Sequence, residues 1–266
     1  MLKILAYSLL LLHSILLMAA PSPILLPYWA AENSNSVQSI DHQRWQTFLD
    51  KYLVQSEQQQ LVRYNKVNKA DKNSLVLYTK TLANIDPGSL NRKEQMAYWI
   101  NLYNALTIIT VLDHYPVKSI LDIRSSWFSP GPWKNKIIEI SGYWLSLNDI
   151  EHGILRPIYQ DPRIHYALNC ASMGCPNLQP RAFTGTNAEQ LLQQAASDFI
   201  NSDKGFKVHK SGARLSKIYE WYEDDFGNTT EDLVSHLNLY LDDTISNQEL
   251  NNMKFQYDWT INEATE

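Results

Sequence analysis

The sequence predicts an α+β fold: a single domain, helix-rich, with a small and mostly antiparallel sheet, set behind an N-terminal apolar export segment. Three observations carry this. Apolar residues recur at three- and four-residue steps from Trp45 onward, short strand-like runs lie far apart at 136–145, 205–215 and 254–261, and no internal repeat or composition break divides the chain after Ser39. At 266 residues, 44% hydrophobic and 19% charged, the chain is long and apolar enough to bury a real core. The net charge of -5 without a Lys/Arg-rich patch excludes the electrostatic footprint of nucleic-acid binding.

The N-terminus comes first. Lys3 precedes Ile4 to Ala20, an apolar run in which Ser8, His13 and Ser14 are the only polar residues. It reads as a targeting segment, with residues 1–31 expected to be a signal peptide or an N-terminal membrane anchor, 32–40 a polar linker and 41–266 the folded domain. Cleavage near Ala19-Ala20-Pro21 or Ala30-Ala31 and retention as an anchor are both open, since Pro21, Pro23 and Pro27 break the continuation needed to span ~30 Å of hydrocarbon. Either outcome places the body outside the cytoplasm, in a periplasmic or extracellular compartment where thiols oxidise.

Trp45, Phe48, Leu49, Tyr52 and Leu53 repeat with helical spacing, as do Leu75, Tyr78, Leu82 and Ile85. Asp86-Pro-Gly88 is a turn, and Asn91 with Glu94 three residues on marks a helix start. The helix from Gln95 to His114 is apolar nearly all round and belongs inside a core, so its polar insertions Asn101, Asn104 and Asp113 call for partners. Pro116 ends it. Lys136 to Leu145 reads as a hairpin turning at Ser141-Gly142, and Leu147 to Arg156 as a short helix capped by Asn148 and stopped by Pro157. Ile164 to Leu168 is a β-like run. Asn187 to Ser202 is a helix, Gly205 to Leu215 a hairpin, Ser216 to Phe226 and Glu231 to Leu241 helices, and Lys254 to Ile261 an alternating late strand.

The blocks Met96-Ala-Tyr-Trp-Ile-Asn-Leu-Tyr-Asn-Ala105, Leu147-Asn-Asp-Ile-Glu-His152 and His165-Tyr-Ala-Leu-Asn-Cys-Ala-Ser-Met-Gly-Cys-Pro176 together resemble the DUF547 family of uncharacterised proteins. The likeness continues through His114-Tyr-Pro-Val-Lys-Ser-Ile120, Leu215 to Phe226 and Tyr257-Asp-Trp-Thr-Ile-Asn262. It implies a family and no reaction.

The only two cysteines, Cys170 and Cys175, lie in the most specific of these blocks. One reading is a thiol hydrolase or acyltransferase: Cys170 as nucleophile in a small-residue loop whose backbone N–H groups face an oxyanion, His152 as base, and Asn104 as orienter. Glu151 is a poor direct orienter of His152, because adjacent residues on a short helix point apart, and His165 lies on the opposite face of an extended run. Asn101, Glu151, His165 and Trp133 are candidate binding residues. The other reading is a non-enzymatic envelope binding module in which Cys170 and Cys175 form a structural disulfide and the aromatic stretch from Trp127 to Trp144 meets a partner. The acidic run Glu223-Asp-Asp225 is expected to be a solvated helix face. No ligand spacing supports a metal, and no phosphate-cradling glycine loop points to a cofactor.

Overall fold

The computed structural model describes residues 21–124, 131–209 and 212–265. The apolar run expected to direct export, and Trp127, lie outside them. Helix α1 (Gln43–Tyr52) leads through the hairpin β1 (Leu53–Ser56) and β2 (Gln59–Val62) to α2 (Lys69–Ala83), whose first turn is capped by Asn68 accepting the Asp71 N–H. Helix α3 (Arg92–His114) follows, and it is the centre of the molecule. Sixteen of its 23 residues are buried, including Trp99, Ile100, Leu102, Ala105 and Ile108 without measurable exposure. At about 1.5–3 kcal/mol for each large apolar side chain removed from water, this helix supplies much of the driving force for folding. The Asn91 side chain accepts the Glu94 N–H, as the sequence predicts. The Glu94 carboxylate does not close the box; it reaches across to the N–H groups of Ile40 and Gly185, fastening two distant loops to the helix start.

The hairpin β3 (Ile138–Ile140) and β4 (Tyr143–Leu145) forms where expected. The next segment departs from expectation. Asp149–Leu155 is π-helical and runs on into α4 (Arg156–Tyr159), and the Arg156 N–H bonds the Glu151 carbonyl five residues back. Pro157 does not stop the segment, because the carbonyls of His152 and Gly153, five and four residues before it, accept the N–H groups of Ile24 and Leu26 in place of its own. The start is held by Asp149 accepting from the Ser146 N–H at 2.7 Å, in place of an Asn148 cap. Ile164–Ala167 is likewise a helical turn, α5, and not a strand. A backbone turn opened by Asp161, which accepts the Arg163 N–H, overrides the β-branched start of that run.

Helix α6 (Ala188–Ile200) precedes a three-stranded sheet in the order β5 (Phe206–His209), β6 (Gly212–Ser216), β7 (Lys254–Gln256), the first pair antiparallel and the second parallel. Between β6 and β7 lie α7 (Ile218–Trp221), α8 (Glu223–Phe226) and α9 (Thr230–Asn238). The late strand is shorter than its alternation suggests, because the chain after Gln256 leaves the sheet to line another loop. The α+β reading holds, with three small sheets among the described residues in place of one.

Two apolar cores result. One surrounds α3, and the other gathers α6, the three-stranded sheet and α7 to α9. Helix α5 is the seam, since Ile164 and Ala167 enter the first core and Tyr166 the second. Residues before the boundary drawn at 31 make contacts with the body. Trp29 is 3% exposed and meets Trp99 edge-on at 5.2 Å, and Ile24 and Leu26 donate their N–H groups to the carbonyls of His152 and Gly153. Gly153 permits this approach, because a Cβ there would lie 2.7 Å from the Leu26 side chain. Among the described residues no helix is long and apolar enough to cross a membrane.

Candidate functional site

The cysteine loop begins where α5 ends. Asn104, buried on α3, clamps the chain on both sides of Leu168: its Nδ2 donates to the Ala167 carbonyl and its Oδ1 accepts the Asn169 N–H, both at 2.9 Å. Asn169 in turn donates to the Pro176 carbonyl across the loop and accepts the Ala171 N–H. These bonds hold Ala171 at φ +62°, a left-handed conformation that a residue other than glycine adopts only at a cost. The segment after β7 closes the other side. Met173 and Gly174 donate to the carbonyls of Thr260 and Asp258, and a Cβ at Gly174 would lie 2.7 Å from the Asp258 nitrogen.

This clamping uses the backbone donors. The N–H of Cys170 goes to Cys175 Sγ at 2.8 Å and that of Cys175 to the Ser172 carbonyl at 3.1 Å, so with Ala171, Met173 and Gly174 five N–H groups of the loop are committed to its shape. Those five N–H groups do not face an oxyanion, and the Ser172 N–H is the one in the loop that they leave out. Asn104 serves the loop and does not orient His152.

Both cysteines are free thiols, Cys170 half-buried and Cys175 buried. Cys170 Sγ lies 3.1 Å from Ser172 Oγ and 2.9 Å from the Tyr257 hydroxyl, and those two oxygens are 3.0 Å apart. The three groups form a closed triangle. When the thiol is protonated, three hydrogens serve three edges, and when it ionises both hydroxyls turn to the sulfur. Burial alone would raise the Cys170 pKa, but hydrogen bonds from Cys175, Ser172 and Tyr257 outweigh it and bring it down to about 7. Burial and the neighbouring Cys170 sulfur push Cys175 the other way, so it stays protonated.

Beside this triangle lies a buried charged network built by the π turn. Glu151 accepts from the hydroxyls of Tyr103 at 2.9 Å and Tyr222 at 2.8 Å. The π-helical geometry also brings Glu151 Oε1 to 3.9 Å from His152 Nδ1, so these neighbours do not point apart as they would on an α-helix. Burial opposes ionisation of Glu151, yet the adjacent imidazoles and the tyrosine hydroxyls hold its pKa below the ordinary value. His152 Nδ1 also receives a hydrogen bond from Arg156 Nη1 at 3.1 Å. Arginine only donates, so Nδ1 must accept and the neutral ring carries its proton on Nε2. Burial, reinforced by the Arg156 charge against the opposing pull of Glu151, lowers the His152 pKa. A ring held this way is a hydrogen-bond donor and a poor general base. Among the described residues no hydrogen bond joins His152 to Cys170, whose sulfur is served by hydroxyls.

Asp225 completes the network. Its Oδ2 accepts from Arg156 Nε at 2.5 Å and His165 Nε2 at 2.6 Å, joining α8 to α4 and α5. Burial would raise Asp225, but these two donors hold it far below the usual carboxylate range. Tyr222 sits between them, stacked on His165 at 4.0 Å with the Arg156 guanidinium 4.8 Å from its ring. The acidic run read as a solvated face thus divides: Glu223 and Asp224 are exposed, while Asp225 faces inward. His165 is not isolated on an opposite face, because the helical turn of α5 aims it at Asp225.

Of the remaining sequence candidates, Asn101 clamps the Phe183 backbone with bonds of 2.7 and 3.0 Å, a structural role. Trp133 packs on Trp259 at 5.8 Å, and Trp259 packs on Tyr257 and Trp221, so an aromatic row leads from Trp133 to the hydroxyl that holds Cys170. Sequence reasoning missed Ser172, Tyr222, Asp225, Tyr257 and Lys204. The half-buried Lys204 donates to Asn177 at 2.8 Å; desolvation lowers its pKa to about 8 against the pull of Cys175 and Cys170. Ser172 is two residues from Cys170, and Tyr257 opens the closing block of the resemblance, so a signal for both was present.

Residues 87–200 match the model of a family described as "Protein of unknown function, DUF547". That span holds α3, the π turn and the cysteine loop, and ends at the last residue of α6. No curated protein and no solved structure matches the chain.

Proposed function

Taking residues 87–200 as a DUF547 segment, we propose that this protein is a thiol-dependent acyltransferase or hydrolase with Cys170 as its nucleophile. The observation that supports it is the half-buried Cys170 sulfur facing two hydroxyl donors, Ser172 and Tyr257, which stabilise a thiolate near neutral pH. The thiolate adds to an acyl carbonyl, forming the S–C bond of a thioester as the leaving group departs; water or an acceptor then takes the acyl group and returns the sulfur. Ionisation here needs no imidazole base. His152, with its proton on Nε2 and its Nδ1 held by Arg156, is assigned as a donor toward the substrate or leaving group. Residues 1–20 would carry the body out of the cytoplasm, cleaved or kept as an anchor, which cell fractionation of the tagged protein resolves.

Pre-steady-state hydrolysis of p-nitrophenyl acetate tests the reading. The wild type is expected to release a burst of nitrophenol stoichiometric with protein, absent in Cys170→Ser and retained in Cys175→Ser. A burst that survives Cys170→Ser overturns it.

A further inference from the structure

The two cysteines do more together than the acyl chemistry requires. Cys175 is 4% exposed and takes no part in the triangle of hydroxyls, yet its sulfur accepts the N–H of Cys170 itself and donates weakly back to the Leu168 carbonyl. The 2.8 Å bond from the Cys170 N–H seats the Cys175 sulfur directly against the Cys170 backbone. The turn between them is fixed at both ends, by the Asn169 bonds to Ala171 and Pro176 and by the Cys175 N–H on Ser172. One thiol is therefore half-open and activated, and a second, sheltered thiol is held in contact with it.

We propose that Cys170 is a modification site for hydroperoxides and that Cys175 is its resolving thiol, closing a reversible Cys170–Cys175 disulfide. The Cys170 thiolate attacks the outer oxygen of the peroxide; an S–O bond forms, the O–O bond breaks, and the departing alkoxide or hydroxide takes a proton from solvent. The sulfur loses two electrons to become a sulfenic acid. The Cys175 sulfur then attacks the Cys170 sulfur, the S–S bond forms as the S–O bond breaks, and hydroxide leaves with the proton given up by Cys175, as water. Sulfenic acid formation also removes the negative charge that helped keep Cys175 protonated, so the first step favours the second. Closure turns the Cys170 sulfur away from Ser172 and Tyr257 and blocks the nucleophile. The oxidation stands without the acyl-transfer reading, whereas its meaning as a shut-off rests on it.

Intact-mass analysis after equimolar hydrogen peroxide tests the pair. The wild type is expected to lose two hydrogens and regain them with reductant, Cys175→Ser to gain one oxygen that a carbon nucleophile such as dimedone traps, and Cys170→Ser to remain unchanged. Tyr257→Phe, with its fold checked by circular dichroism, is expected to react roughly fivefold more slowly at pH 7, the effect of about one pKa unit on the thiolate fraction. A wild type that accumulates oxygen on Cys170 without losing two hydrogens overturns the resolving role of Cys175. Oxidation of Cys170→Ser at the wild-type rate overturns the site. If p-nitrophenyl acetate leaves no acyl group while the disulfide still closes, the acyl-transfer reading falls and this one remains.

Discussion

Arg156 Nη1 donates to His152 Nδ1 at 3.1 Å, and because arginine cannot accept, that single bond fixes the tautomer of the histidine. It moves His152 from the role of base, which its place in the sequence suggests, to that of a donor through Nε2. The first prediction follows directly. Imidazole nitrogen NMR of the wild type is expected to show His152 neutral and protonated on Nε2 around pH 7, and Arg156→Met to raise its pKa, since the like charge that lowers it is removed.

Ionisation of Cys170 is expected to follow its hydroxyl partners. The alkylation rate of Cys170 by iodoacetamide should rise with pH through a midpoint near 7, and Tyr257→Phe or Ser172→Ala should move that midpoint upward by removing a donor to the thiolate.

Asp225 is the sole acceptor shared by Arg156 and His165, and the Arg156 side chain is 3% exposed. Asp225→Asn leaves a buried guanidinium without its carboxylate, so a loss of about 3–5 kcal/mol is expected in urea unfolding. The exposed neighbour Asp224→Asn is expected to change stability by less than about 0.5 kcal/mol.

Acid stability has a defined window. Burial lowers His42 and His236 from 6.5 to about 4, so the unfolded chain binds protons below pH 6.5 that the native state refuses. Stability is therefore lost as pH falls from 6.5 toward 4, by up to about 1.4 kcal/mol per pH unit for each histidine. The Asp225 contribution runs differently: its depressed pKa stabilises above the unfolded value of 3.8 and fades only below it. Denaturant melts at stepped pH, with His42→Gln and His236→Gln flattening the upper step, check both.

The segment Pro21 to Ala31 belongs to the folded body. Arg156 and Arg92 donate to the carbonyls of Pro21 and Ala30, and Trp29 is in the core. Removal of the chain through Ala31 is expected to cost at least the ~3–5 kcal/mol typical of emptying a tryptophan site, read in urea unfolding against the full chain.

What the sequence showed and what it hid divide along physical lines. The all-round apolar pattern of α3 announced a central helix, and Asn91 its start, because burial and capping leave local signatures. The cysteine loop was legible as the candidate site. The π turn was not, since its spacing looks like that of a short helix, and only the extra residue per turn puts Glu151 beside His152. Ile164 to Leu168 misled because β-branched and aromatic residues suit a strand, while a local turn at Asp161 decided otherwise. Asp225 and Tyr257 were hidden for another reason. Each reaches the site across 60 or more residues of chain, to His165 and Cys170, and no local pattern encodes that.

The most direct test of Cys170 as nucleophile is capture of its acyl form. Acid-quenched wild type exposed to p-nitrophenyl acetate should carry the mass of one acetyl group, mapped to Cys170 by peptide analysis, with Cys175→Ser labelled equally and Cys170→Ser unlabelled. An acetyl group found on another residue, or an equal label on Cys170→Ser, contradicts the account.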